Sequence, residues 1–380
     1  MRIAVFIPTL GMGGAERLAL QLAEDCARNG NPVRVFVLSP PVANQWQTGL
    51  PTVQLDLSRH PLRLLRGLVR ARRELRAFAP DLVHSHCVHA NLLARLLRLA
   101  GGRVPLISTV HNVYEGRWPR MLGYALTDFL AKRVVFVCQA ALDRYCRLHA
   151  ASRGKARVVV NGIDTALFAP DPERREQMRA RLRAQGRFIW LTAGRLTPAK
   201  DLPNLLRAYA ELASSESGSE PGSELWIAGE GSPLYRADLD RLVAGLGLAG
   251  RIRWLGLRRD LPALLDACDG FALGSAWEGM PLVVGEAMSM QKPVVATRVG
   301  GVAEIAGPWA RLVSPSDPAA LAAAMLSIER APRELQVAMG TDARARILAN
   351  FSLEASVGQW SALYGELLSE SASEARAACV

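Results

Sequence analysis

Short apolar runs rich in β-branched residues alternate with helix-length amphipathic segments along the whole chain. A run that is apolar on both faces belongs in a parallel sheet with helices packed on either side, so the alternation restricts the chain to α/β architectures. In the first half the runs are residues 3–7, 33–38, 82–84, 106–110, 134–137 and 158–160. Between the first two, residues 15–28 place Leu18, Leu22 and Cys26 on one helical face and stop at Asn29-Gly30; residues 89–99 stop at Gly101-Gly102. Both are C-terminal helix signals. A second series, residues 188–193, 225–228, 252–255, 270–273, 293–297 and 312–313, follows the turn-forming cluster Asn161-Gly162-Ile163-Asp164. The spacing predicts two doubly wound, Rossmann-like domains over 1–165 and 166–352, a leftover helix over 353–368 and a polar tail over 369–380. Residues 214–223, rich in serine and glycine, read as a loop that is mobile like the tail.

With 380 residues, 50% of them apolar, the chain can fill two cores, which excludes disorder and small disulfide scaffolds. Residues 1–165 hold 23 Lys and Arg against 10 Asp and Glu, while residues 166–380 hold 23 against 25. The excess of positive charge therefore lies in the first domain, which should meet anions: nucleotides, nucleic acid or an anionic membrane. The six cysteines form no C-x-x-C pair and read as reduced thiols of an intracellular protein. The opening apolar run is too short for a secretory leader, and the longest uncharged stretch, residues 35–55, carries Pro40, Pro41 and Pro51. A soluble or peripheral protein is expected.

Several motifs fall at the ends of these strands. Gly11-Met12-Gly13-Gly14 opens a helix after the first strand, where backbone N–H groups can receive a phosphate. It is not a G-x-G-x-x-G, and no acidic residue closes the second strand, which argues against a nicotinamide dinucleotide. Gly194-Arg195 and Lys200 follow the first strand of the second series, and a guanidinium with an ammonium suits a diphosphate. Glu278 and Glu286 flank Pro281, a natural first helical residue. Glu278 should then lie in a loop and Glu286 inside a helix, with the N–H groups of Leu282 and Val283 facing an anion and the carboxylates accepting sugar hydroxyls. Asp238-Leu239-Asp240, the only D-x-D, falls in a helical pattern and reads as a solvated face. His84-x-His86-x-x-His89 competes as a zinc site, but no further ligand set is placed to complete it.

The ordered series Gly13-Gly14, His111, Asn161-Gly162-Ile163-Asp164, Gly194-Arg195 with Lys200, Gly229-Glu230-Gly231, Glu278-x7-Glu286 and Gly300-Gly301 with Glu304 resembles the retaining family 4 glycosyltransferases of the GT-B fold. The resemblance spans roughly residues 1–368 and implies two Rossmann-like domains facing across a cleft, with the final helix crossing back onto the first. It implies further that Arg195 and Lys200 bind the diphosphate of a nucleotide sugar and stabilise the leaving group. Glu286 would hold the ribose, and Glu278 with the backbone of Gly279, Met280 and Leu282 the donor sugar, beside Val283. Gly13 and Gly14 would lie near the phosphates, His111 near the reacting carbon, and Gly229 and Leu257 against the base. Val160 and Cys138 depart from the family, which often has Pro and Ser there. The implied enzyme is a hexosyltransferase that needs neither metal nor cofactor. Its partners would be a UDP-sugar or similar donor and a saccharide or lipid-linked saccharide acceptor, in the cytoplasm.

Residues 59–78 carry Leu62, Leu65, Val69, Leu75 and Phe78 on one stripe and Arg59, Arg63, Arg66, Arg70, Arg73 and Arg76 on another. The stripe reads first as a Rossmann helix packed on its sheet, with outward arginines that would attract an anionic membrane. Trp118, Pro119, Arg120 and Met121 would extend the acceptor surface. Two alternatives stand beside this reading: an epimerase or hydrolase of the same fold, and a basic nucleic-acid-binding protein, against which no stacking motif or helix-turn-helix spacing is visible.

Overall fold

The computed structural model describes residues 1–380 except 43, 59, 100–103, 117, 216–221 and 378–380. The Gly101-Gly102 helix stop, Arg59, Cys379 and most of the serine- and glycine-rich stretch lie outside the described residues. The chain divides into two compact units, Met1–Gly162 with Glu354–Val380, and Ile163–Leu353.

The first unit runs β1 (Ile3–Ile7), α1 (Gly14–Arg28), β2 (Val33–Val37), β3 (Thr52–Gln54), α2 (Pro61–Phe78), β4 (Leu82–His86), α3 (Cys87–Leu99), β5 (Leu106–Val110), α4 (Trp118–Thr127), β6 (Arg133–Phe136), α5 (Gln139–Arg147) and β7 (Ala156–Val158). All seven strands are parallel, in the order β3-β2-β1-β4-β5-β6-β7. Every residue of β1 is buried. Ile3, Val5 and Ile7 enter a cluster with Leu22 and Cys26, while Ala4 and Phe6 enter another with Phe36, Ala71 and Leu93. That two-sided burial is why the strand reads as an unbroken apolar run rather than an alternation.

The second unit runs α6 (Pro172–Arg181), β8 (Ile189–Ala193), α7 (Leu202–Ser215), β9 (Glu224–Ala228), α8 (Pro233–Gly245), β10 (Ile252–Gly256), α9 (Leu261–Ala267), β11 (Gly270–Leu273), α10 (Leu282–Ser289), β12 (Val294–Thr297), α11 (Val302–Ala306), β13 (Arg311–Val313), α12 (Pro318–Glu329) and α13 (Arg333–Asn350). Its six parallel strands are ordered β10-β9-β8-β11-β12-β13. In each sheet the order reverses once, between β1 and β4 and between β8 and β11. Open α/β sheets bind ligands at the carboxyl ends of strands beside such a reversal.

The last helix, α14 (Leu353–Ala377), is longer than the sequence predicts. Trp360, Leu363, Tyr364 and Leu367 are buried in the first unit's core. Residues 369–377 continue the helix instead of forming a loose tail. A stripe of glutamates explains this: Glu366 and Glu370 pair with Arg133 at 2.7 and 2.5 Å, and Glu370 and Glu374 with Lys132. Among the described residues, no helix is long and apolar enough to cross a membrane.

Candidate active site

In the second unit the reversal between β8 and β11 gathers the predicted cations and one of the acids. β8 ends at Ala193; Gly194 and Arg195 follow, and a 3-10 turn, Pro198–Lys200, presents Lys200. The Ala276 N–H donates to the Ala199 carbonyl at 2.9 Å, tying the loop after β11 to that turn. Lys200 Nζ donates to Glu278 Oε1 at 2.6 Å, and the Ser275 hydroxyl donates to the same oxygen at 2.7 Å. Ser275 is fully buried, and the Thr297 hydroxyl holds its carbonyl at 2.6 Å. Arg195 is exposed, and its guanidinium has no acceptor among the described residues. A guanidinium with no carboxylate partner among the described residues is available to receive an anion.

Two glycines are required by space here. A Cβ on Gly229, at φ +142°, would stand 1.9 Å from the Gly194 carbonyl oxygen, so the loops after β8 and β9 can close only on glycine. A Cβ on Gly300, at φ +51°, would stand 2.1 Å from the Glu278 carbonyl oxygen. Gly301 then donates to the Gly279 carbonyl at 2.6 Å, so the loop after β12 cradles the one carrying Glu278. Leu257 follows β10 half-buried, and the neighbouring Arg258 forks onto Asp260 at 2.7 and 2.5 Å.

Pro281 is the N-cap of α10 and not its first helical residue, as the sequence suggests. The consequence for the acids is unchanged. Glu278 lies in the loop, 8% exposed, and Glu286 lies inside α10, 5% exposed. Pro281 gives no side-chain cap to the first-turn N–H groups of Leu282 and Val283, and Met280 beside it is buried. On α8 the two aspartates of the D-x-D sit on the helix surface, Asp240 at 3.1 Å from Arg236 and Asp238 paired with Arg241.

In the first unit, Gly13 is the extended N-cap of α1 and its carbonyl accepts from Trp46 Nε1 at 3.3 Å; Gly14 is exposed at the first helical position. At the ends of β4 and β5 lies a buried polar network. His84 is bonded through both ring nitrogens, to the Tyr364 hydroxyl and Thr109 Oγ1, each at 2.7 Å. His86 Nδ1 lies 3.0 Å from His111 Nε2. Burial, then the positive charge that His111 could carry, lowers His84 to about 3, and burial lowers His111 to about 4. Burial, then the neighbouring rings, holds His86 well below the ordinary range. His89 points to solvent instead. Among the described residues no group of three His, Cys, Asp or Glu side chains is placed to hold a metal ion.

Sequence reasoning passed over two residues. Ser275 stands three positions before Glu278, a spacing that carries no signal without the loop's curvature. Glu115 stands four after His111; it accepts from the His111 N–H at 3.3 Å and the Tyr124 hydroxyl at 2.9 Å. Burial raises its carboxyl to about 7 despite those hydrogen bonds.

Comparison with known proteins covers both units. A model described as "Glycosyltransferase Family 4" matches residues 12–167, and one described as "Glycosyl transferases group 1" matches residues 187–330. The chain is 30% identical to a D-inositol 3-phosphate glycosyltransferase of Salinispora tropica, over 80% of this chain and 67% of that protein. It is 28% identical to an alpha-D-kanosaminyltransferase of Streptomyces kanamyceticus, over 92% and 99%. Among solved structures, HepE of Anabaena in complex with UDP and glucose aligns with a TM-score of 0.83 at 21% identity, covering 96% of this chain and 99% of that one.

Proposed function

The chain belongs to the GT-B glycosyltransferases, and on that premise we propose that it is a retaining family 4 enzyme moving a sugar from a nucleotide diphosphate to a saccharide or lipid-linked saccharide. One observation carries the reading most: at the β8/β11 reversal an exposed Arg195, without an acceptor among the described residues, follows β8 ahead of Lys200, itself held by Glu278 at 2.6 Å. That arrangement suits a diphosphate, and UDP is the proposed carrier, in keeping with the UDP bound to HepE. Arg195 and Lys200 stabilise charge as the glycosidic bond breaks, where fixed cations lower a barrier most. Glu286 takes the ribose hydroxyls. Glu278 has only Oε1 engaged among the described residues, so Oε2 accepts a hydroxyl of the donor sugar, beside the backbone of Gly279, Met280 and Leu282. Gly13 and Gly14 offer backbone to the phosphates, His111 contacts the donor sugar, and Gly229 and Leu257 wall the base. The reaction needs no metal and no protein nucleophile, because the leaving phosphate assists the acceptor hydroxyl on the same face.

Calorimetry with UDP in the presence of a chelator tests this site. Arg195→Ala and Glu286→Ala are each expected to weaken binding by about 1.5–3 kcal/mol, the range for charge-assisted hydrogen bonds. Wild-type affinity in both variants would overturn the assignment.

The acceptor is proposed to lie at an anionic membrane surface on the cytoplasmic side. Contrary to the stripe packing on the sheet as a whole, Leu62, Leu65 and Val69 of α2 are 58, 59 and 61% exposed, while Leu68, Ala71, Leu75 and Phe78 pack inward. Arg63, Arg66, Arg70 and Arg73 stand exposed among them. Exposed apolar side chains interleaved with arginines suit an interfacial helix, each cation contributing about 1 kcal/mol near anionic lipid. Replacing those four arginines by glutamate is expected to abolish cosedimentation with phosphatidylglycerol vesicles; undiminished cosedimentation would remove α2 from the membrane contact.

A further inference from the structure

We propose that His86 is a positioning residue that holds His111 as its Nδ1–H tautomer, with His111 Nε2 accepting from His86 and His111 Nδ1 left as a hydrogen-bond donor for substrate oxygen. The inference rests on reading His111 as a residue of the active site.

His86 closes β4, where it is paired with Thr109 of β5, so His111 lies two residues beyond the pairing and the two rings meet. Their nitrogens Nδ1 and Nε2 are 3.0 Å apart. Burial keeps both rings neutral at physiological pH, so one proton lies between these nitrogens and each ring has one N–H. Which ring donates is decided by the far side of His86. That residue is 1% exposed, and its Nε2 is buried without a hydrogen-bond partner among the described residues. The neighbouring His84, its ring centroid 4.0 Å away and tilted by 37°, cannot serve as that partner, because Tyr364 and Thr109 occupy both its nitrogens.

If His86 carried its proton on Nε2, a buried N–H would have no acceptor, the rarer and costlier kind of orphan. With the proton on Nδ1, only a lone pair is left unmatched and the N–H is used on His111. His111 Nε2 must then be bare, and its proton sits on Nδ1. The charged and titratable groups facing the pair are His84 from β4, Tyr364 from α14 and Glu115 from the loop before α4. Among the described residues none of them is hydrogen-bonded to a ring nitrogen of His86 or His111. The consequence is chemical: at neutral pH His111 has no free lone pair. It can donate a hydrogen bond to a sugar or phosphate oxygen, and it cannot act as the base that deprotonates the acceptor.

The test uses the full-length protein labelled with 15N in histidine and long-range 1H–15N correlation, with His111 identified from the spectrum of His111→Gln. Expected in the wild type are a bare Nε2 and a protonated Nδ1 for His111. A protonated Nε2 would overturn the proposal without any variant. His86→Leu, which cannot donate, is expected to shift His111 to a mixture of tautomers, whereas His86→Asn, whose amide can donate from nearly the same place, should retain the wild-type form. An unshifted His111 in His86→Leu also overturns the proposal. Unchanged turnover in His111→Ala would instead remove His111 from the active site and leave the tautomer result standing.

Discussion

Alanine at Lys200 is expected to reduce turnover by about 10²–10³-fold, the cost of removing one fixed charge-stabilising donor from a transition state. The same change should lower thermal stability, because the two effects have one source. Lys200 and Glu278 form an ion pair at 2.6 Å with side chains 20% and 10% exposed. Removing one partner of such a pair leaves a desolvated charge behind, a penalty of about 3 kcal/mol when the pair is well buried. The Ser275 hydroxyl, 2.7 Å from the same carboxylate oxygen, recovers part of it. Stability and catalysis separate in the double variant. Lys200→Met with Glu278→Gln removes both charges, so the melting temperature should recover toward wild type while turnover stays low. If Lys200→Ala turns over within about threefold of wild type, its role at the diphosphate is lost, whatever the melting temperature does.

The ion pair also marks the limit of what the sequence could tell. Lys200 and Glu278 are 78 positions apart, and their meeting follows from β8 and β11 being neighbours across the reversal, a fact of strand order that no local spacing encodes. Strands buried on both faces were legible: β1, β5 and β11 stand where continuous apolar runs put them. The edge strands of the second sheet, β10 and β13, were legible as well, but those of the first sheet were not. β3 is three residues long and exists through its pairing with β2, and β7 lies at 156–158, two residues before the Val158 to Val160 run, where an exposed Arg157 interrupts the apolar pattern. The glycines at 229 and 300 were visible as motif letters, but their reasons are tertiary, since each is excluded from bearing a Cβ by a carbonyl on another loop. The histidines suffered most. Their H-x-H-x-x-H spacing, which competes as a zinc site but lacks further ligands, gives no hint that strand pairing turns His86 toward His111, buries His84 against Tyr364 and leaves His89 outside.

Those buried histidines predict that the two units differ in acid lability. All six histidines lie at positions 60–149, in the first unit, and none in Ile163–Leu353. A histidine held neutral in the fold, with its pKa lowered from 6.5 to about 3 for His84 or about 4 for His111, binds fewer protons folded than unfolded between those values. Stability therefore falls as the pH drops through 6.5, by about 2 kcal/mol for each of these two between pH 7 and pH 5. His86 acts in the same direction. Glu115 opposes them: raised from 4.5 to about 7, it contributes stability that is full below 4.5 and lost as the pH rises through 7, so acidification over the same interval returns about 2 kcal/mol. The balance is a net loss of at least about 2 kcal/mol for the first unit, a sizeable part of a stability of about 5–15 kcal/mol. In the second unit Asp260 and Asp269 are lowered below an ordinary value of 3.8, so their contribution persists until the pH falls well below 5. Hydrogen exchange at pH 7 and pH 5, corrected for intrinsic rates, should show protection lost across β1, β4, β5 and α14 while β8, β9 and β11 keep theirs. Equal loss in both units, or earlier loss in the second, would mean that these imidazoles are already charged in the fold at pH 5, and the neutral pair on which the His86–His111 proton assignment depends would go with them.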